Sequence, residues 1–227
     1  MGVKFLYRGL RMLQYEYKID KCGKEILLQD NKYQVMMEWE KPYMESIINE
    51  IKPTGNVLEI GFGCGYSATA IQKYNPKSHT IIECHDVVID KLKDWSKKYN
   101  NINIIEGYWQ QQLHKLGDFD FIFFDDHPLE IFGKINKENK FQFSLQNNRF
   151  NMFVDICLDW HMKTGSILSA YMNESETKYK DEHFNKNIIN NPKIRYGEKI
   201  IDVEVPSNCK YYRGGDKAVI PLIKKIS

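Results

Sequence analysis

VLEIGFGCG, residues 57–65, sets three glycines at alternate positions directly after a short apolar run. The run predicts a buried strand and the following YSATAIQKY predicts a helix, so Gly61, Gly63 and Gly65 occupy a strand-to-helix turn. Gly61 and Gly63 allow a tight turn and close approach of a ligand to the backbone, as in nucleotide-binding βαβ units. The spacing is GxGxG followed by Tyr66, not the GxGxxG of dinucleotide sites, which argues against a nicotinamide-dependent dehydrogenase.

Outward from this turn, HTIIEC, INIIEG and FDFIFF predict three more strands, with VVIDKLKDWSKKY as a helix between the first two. A further helix within 141–162, a fifth strand SILSAYM, and KIIDVEVP with AVIPLIKK as closing strands complete an α/β pattern. Such alternation predicts a mostly parallel central sheet with helices on both faces. Upstream, residues 34–51 space Met37, Met44, Ile47, Ile48 and Ile51 as one amphipathic helix, with Pro42 forcing a boundary or kink near Lys41. Residues 1–32 are mixed and aromatic. They are expected to form an N-terminal extension ahead of a single domain, 33–227.

The 227 residues are 42% hydrophobic, enough for a substantial core, and the net charge of +2 leaves no electrostatic footprint for nucleic acid. No span approaches the ~20 apolar residues of a membrane helix, and the N-terminus lacks a signal sequence. Five cysteines without CxxC spacing fit a reduced compartment better than a disulfide framework. A soluble, cytoplasmic protein with neither nucleic-acid nor membrane partners is expected. The six histidines include no i, i+4 pair, so no metal site is expected either.

Acidic residues cluster where a parallel sheet would present them. Glu59 precedes the glycine turn, where it could accept hydrogen bonds from loop amides or from an amino-acid ammonium. Glu83 ends the second strand, 22 residues after Gly61, the separation at which an acid grips ribose hydroxyls. Trp109 follows the third strand and is either a wall for an adenine ring or core packing. Asp125 and Asp126 stand where FDFIFF leaves the sheet, which makes them either ligand contacts or an Asx turn before Pro128.

VLEIGFGCG resembles the first motif of class I S-adenosylmethionine-dependent methyltransferases. VMMEWEKPYM (35–44), IIECHD (81–86), FFDDHPL (123–129) and VPSNCKYYRGGDKAVIPLIKK (205–225) resemble, in order and spacing, segments of the guanidinoacetate N-methyltransferase family. The resemblance implies a Rossmann-like fold with an N-terminal helical lid, S-adenosyl-L-methionine as cofactor, and a small guanidino compound as acceptor. It places Met36 and Met44 around the cofactor, Glu83 on the ribose, and Cys84 and His85 beside Tyr108 and Trp109 at the adenine. It assigns the grip on the guanidino group to Glu40 and Asp125, with Asp125 taking the proton and Glu40 orienting. The tyrosine-rich tail is read as a hairpin with a Gly-Gly turn.

The chemistry asks for such a pair. A guanidinium has a pKa above about 12, so at neutral pH it is a delocalised cation and a poor nucleophile. Two carboxylates match its fork of N–H donors, offset its repulsion from a sulfonium, and supply a proton acceptor. Departures from the family bear on the acceptor. Asp126 adds a carboxylate after Asp125, and YMNESE (171–176) sets Asn173 and Glu174 where the family holds a substrate carboxylate. A glutamate there would repel guanidinoacetate. The N-terminal segment has no tryptophan to close the site, and Tyr15 is its candidate replacement. The alternatives are an arginine N-methyltransferase, acting on the free amino acid or a protein side chain, and a non-catalytic S-adenosylmethionine-binding module.

Overall fold

In the strand at 119–124, Phe121 and Phe123 pack into one core while Ile122 and Phe124 pack into a second core across the sheet. A strand covered on both faces has no solvent side, so its apolar run carries no polar alternation. The computed structural model describes residues 14–127, 149–173, 184–212 and 215–227. Within them, β4 (Asn56–Ile60), β5 (Ser78–Glu83), β6 (Ile102–Glu106), β7 (Phe119–Phe124) and β8 (Met162–Ala170) form a parallel sheet. β10 (Ile194–Asp202) and β11 (Lys217–Lys225) extend it antiparallel, giving the order β10-β11-β8-β7-β4-β5-β6, and the short β9 (Met172–Asn173) also pairs with β11.

Helices α1 (Lys41–Ile51), α2 (Tyr66–Gln72) and α3 (Asp86–Ser96) contribute to the first core, and α4 (Trp109–Gln112) and α5 (Arg149–Trp160) to the second. The sheet is thus covered on both faces. β4 lies between β5 and β7, so the chain runs outward from it in opposite directions, and the crevice beyond its carboxyl end is where open α/β sheets bind ligands. No helix among the described residues is long and apolar enough to cross a membrane.

Two expectations are corrected. Residues 34–51 are not one helix: Tyr33–Met37 is a strand, β3, and Glu38–Glu40 is a single tight helical turn before α1. Pro42 explains the boundary, because a residue without an N–H is tolerated in the first helical turn and not in a helix interior. Behind it Tyr43, Met44, Ile47 and Ile48 form the buried stripe of α1.

The expected N-terminal helical lid is also not what the described residues form. β1 (Tyr15–Ile19), β2 (Glu25–Gln29) and β3 make an antiparallel meander, and the division expected at residue 32 falls inside it. The turn signals are local. Asp30 and Asn31 both have positive φ, 52° and 53°, and the Lys32 amide donates to the Gln29 carbonyl, the hairpin geometry that Asn and Asp tolerate. This small sheet rests on the glycine turn, where the Tyr17 hydroxyl donates to the Gly63 carbonyl at 2.5 Å, and Lys91 of α3 pairs with Glu25 at 2.5 Å.

Candidate active site

The loops leaving the parallel strands are stitched together by one more rung of the ladder each. The Gly61 amide donates to Ile82, Gly107 to Glu83, Asp125 to Ile60 and Tyr171 to Phe124, all between 2.8 and 3.1 Å. Strand-end residues are therefore held by backbone, and their side chains converge on a cavity of about 290 Å³. Its walls include Gly61, Gly63, Glu83, Cys84, His85, Tyr108, Trp109 and Asp125, together with Met36 and Glu40 from the segment before α1. A larger hollow, about 810 Å³, lies on the side of that segment bearing Met37 and Trp39, and it is rimmed by lysines and carboxylates.

The glycines are explained by contact. A Cβ on Gly61, whose φ is +82°, would sit 2.3 Å from the Asp125 carbonyl oxygen, and one on Gly63 would meet the Met36 sulfur at 2.7 Å. Met36 also receives the Cys64 amide on its sulfur at 3.2 Å. Gly65 does not line the cavity; its left-handed conformation starts α2, and a Cβ there would strike the Phe62 ring.

Glu83 is a buried carboxylate held by backbone. Its Oε2 accepts from Phe62 N at 2.9 Å and its Oε1 from Cys84 N and His85 N at 2.7 and 3.0 Å. Burial raises its pKa, and these amides oppose the rise. Glu83, Cys84 and His85 also bring one donor atom each within 4.8 Å of one another, a metal-like spacing, yet both Glu83 oxygens already accept amide protons. Burial pushes the Cys84 thiol up, away from reactivity, and pushes His85 down to about 4, so the imidazole is neutral at pH 7. Tyr15 stacks on His85 with ring centres 3.7 Å apart.

Trp109 serves as core and wall at once. Its ring meets Phe124 and Phe153 edge-on, while its Nε1 donates to Asp126 Oδ2 at 3.0 Å from the cavity side. Arg149 approaches the same carboxylate at 3.4 Å and donates to the Asp126 carbonyl at 3.2 Å. Asp126 is therefore charge-compensated from within, in contrast to its neighbour.

Asp125 receives no side-chain compensation of that kind among the described residues. Burial raises its pKa well above the usual carboxylate range, and the charges of Glu40, Glu59, Asp126 and Glu83 add to the effect. Glu40, 2% exposed, stands on the same cavity; burial lifts it to about 7 against hydrogen bonds from Tyr211 and Met37 and the nearness of the Tyr171 hydroxyl. The Met37 amide donates to Glu40 Oε1 at 2.8 Å, and the Tyr211 hydroxyl donates to the same oxygen.

Four more of the expected positions lie elsewhere or beyond description. Met44 is fully buried on α1 and is not among the cavity-lining residues. Glu59 turns inward, accepting from Ser67 Oγ and pairing with His79 Nε2 at 2.9 Å, so it meets neither the loop amides nor a ligand ammonium. Asn173 pairs by its backbone with Ala218, and Glu174 lies outside the described residues. Conversely, Tyr171, Tyr211 and Tyr212 line the cavity and had no assigned place there. The signal for Tyr211 and Tyr212 was the tyrosine-rich tail, and for Tyr171 its place at the head of YMNESE.

The fit of S-adenosylmethionine can be judged from these walls. Tyr15 Oη and His85 Nε2 are buried polar atoms without hydrogen-bond partners among the described residues, and both belong to cavity-lining side chains. With Glu83 beneath and Trp109 beside them, they suit a ligand that is partly flat and apolar, partly polar. The residues present fit the group.

The comparisons agree with this architecture. Spermidine synthase from Thermotoga maritima superposes with a TM-score of 0.63 at 14% identity, covering 94% of this chain and 70% of that one. The N-methyltransferase NodS from Bradyrhizobium japonicum superposes at 0.57 with 13% identity, over 83% of this chain and 97% of that one. At such identities the likeness shows the fold alone, a Rossmann-like class I methyltransferase fold. Protein arginine N-methyltransferase 2 from Candida glabrata is 40% identical over 116 residues, 48% of this chain and 28% of its own length. Its namesake from Saccharomyces cerevisiae is 38% identical over 129 residues, 53% of this chain and 30% of its own length. The chain thus spans less than a third of these relatives. The profile of guanidinoacetate N-methyltransferase matches residues 25–226, and the chain belongs to that family.

Proposed function

We propose that this protein transfers a methyl group from S-adenosylmethionine to a nitrogen of a guanidino group. One observation carries the reading: Glu40 and Asp125, from distant elements, line one cavity with raised pKa values, and no lysine or arginine lines it among the described residues. Such a pair calls for a cation with N–H donors in a plane. When bound, S-adenosylmethionine supplies an electrophilic methyl on a sulfonium. Met36, Glu83, His85, Tyr108 and Trp109 would hold it.

Asp125 is the proton acceptor. Lying at the end of a rigid strand with no side-chain hydrogen bond or ion pair on its carboxylate among the described residues, it can take an N–H proton as the nitrogen attacks, and its raised pKa makes it a stronger base than an ordinary carboxylate. Glu40, with Oε1 held by Met37 and Tyr211, orients the guanidinium. Within this reading, the arginine side chain of a polypeptide is favoured over guanidinoacetate by the names of the relatives. Incubating the protein with methyl-labelled cofactor and free guanidinoacetate, arginine and arginine-containing peptides tests both points. Label on an amine or an oxygen, and on no guanidino compound, overturns the reading.

A further inference from the structure

The segment between β10 and β11 is hung from the N-terminal sheet. Gln34 of β3 brackets it with two hydrogen bonds, Nε2 to the Asn208 carbonyl at 2.9 Å and Oε1 from the Lys210 amide at 2.6 Å. Asn208 in turn donates to Asp20 at 3.0 Å. Directly after this bracket, Tyr211 puts its hydroxyl on Glu40 Oε1, and Tyr212 lies edge-on against Trp39 with ring centres 5.0 Å apart. The acceptor end of the cavity is therefore closed by a strap whose anchor, Gln34, lies six residues before the carboxylate it reaches.

We propose that Tyr211 is a positioning residue for Glu40, held in register by Gln34, and that together they turn the Glu40 carboxylate so that Oε2 faces the acceptor. The proposal rests on the guanidino reading for its chemical purpose. Oε1 is engaged twice, by the Met37 amide and the Tyr211 hydroxyl, which leaves the other oxygen for an incoming N–H. Both bonds stabilise the ionised form, so the strap also decides how readily Glu40 sheds its proton. Among the described residues, the titratable groups facing Glu40 are Tyr171 after β8, Tyr211 between β10 and β11, Asp125 after β7, and Cys64 in the glycine turn. Of these, Asp125 is the other carboxyl, and its charge and that of Glu40 act on each other.

Tyr211→Phe removes the hydroxyl and keeps the ring; Gln34→Ala removes the bracket and leaves Tyr211 intact. The readout is the carboxyl carbon-13 signal of Glu40, recognised by its disappearance in Glu40→Gln, followed against pH in the full chain. Tyr211→Phe should move its midpoint up by about one unit, and Gln34→Ala should move it less in the same direction. In turnover with the best guanidino acceptor, Tyr211→Phe should lower kcat/KM about tenfold or more, the acid limb of the profile moving up with the midpoint. An unchanged midpoint in Tyr211→Phe overturns the proposal; if that variant does not fold, an unchanged midpoint in Gln34→Ala does so. A moved midpoint in a protein that methylates no guanidino compound upholds the positioning and sinks the function.

Discussion

The two ends of the cavity are built on different principles. The cofactor end rests on backbone: Glu83 is set by amides, Gly61 is pressed against the Asp125 carbonyl, and neighbouring strand ends share ladder bonds. The acceptor end rests on side chains reaching across the chain, with Glu40 held by Tyr211 and flanked by Tyr171. Side-chain contacts can be exchanged one at a time, whereas a substitution disturbs backbone contacts only by displacing the chain, as an added carbon at Gly61 would. Altering the first end should therefore damage chiefly the fold, and altering the second chiefly the chemistry.

The largest effect expected separates chemistry from binding. Asp125→Asn should lower methyl transfer by about 10²–10⁴-fold while calorimetry still finds the cofactor bound. Unchanged turnover would show that Asp125 is not the proton acceptor, and cofactor binding without turnover in the parent protein would identify a binding module. Next, Gly61→Ala should act on the fold: the added carbon meets a backbone oxygen at positive φ, and thermal melting should show a loss of about 2–4 kcal/mol. Gly63→Ala should lose less, since the flexible Met36 side chain can shift.

The third comparison is with pH. A carboxylate raised to about 7 binds its proton more tightly folded than unfolded, so its contribution to stability is full below about 4.5 and is lost as pH rises through 7. Melting of the unliganded wild type against Glu40→Gln should diverge across that window by on the order of 3 kcal/mol, the relief of Asp125 included. His85 and His127, both depressed to about 4 by burial, give the opposite slope in both proteins and cancel in the difference. The smallest effect is Trp109→Phe, which removes the bond to Asp126 but keeps Arg149 there; under about 1.5 kcal/mol in melting is expected.

The same division explains what the sequence disclosed. FDFIFF announced a strand buried on both faces, and VLEIGFGCG announced the turn, because backbone architecture is written in local residue types. Asp125 followed from its place at a strand end. The orientation of Glu59 and Met44 did not follow, since residue type does not tell which face of an element is turned to a neighbour. β1 to β3 were missed because polar residues interrupt their apolar positions, although Asp30-Asn31 marked a turn. The bond between Tyr211 and Glu40 joins positions 171 residues apart and leaves no local trace.

Arg149 has one more bearing on the proposed reaction. By neutralising Asp126, it leaves two anions at the acceptor end, Glu40 and Asp125, opposite two positive centres, a guanidinium and a sulfonium. In that reaction alkylation would remove one positive centre and Asp125 would carry the displaced proton, so the sum would be zero at both stages. The acceptor would exchange a proton for a methyl without tipping the electrostatic balance of the pocket.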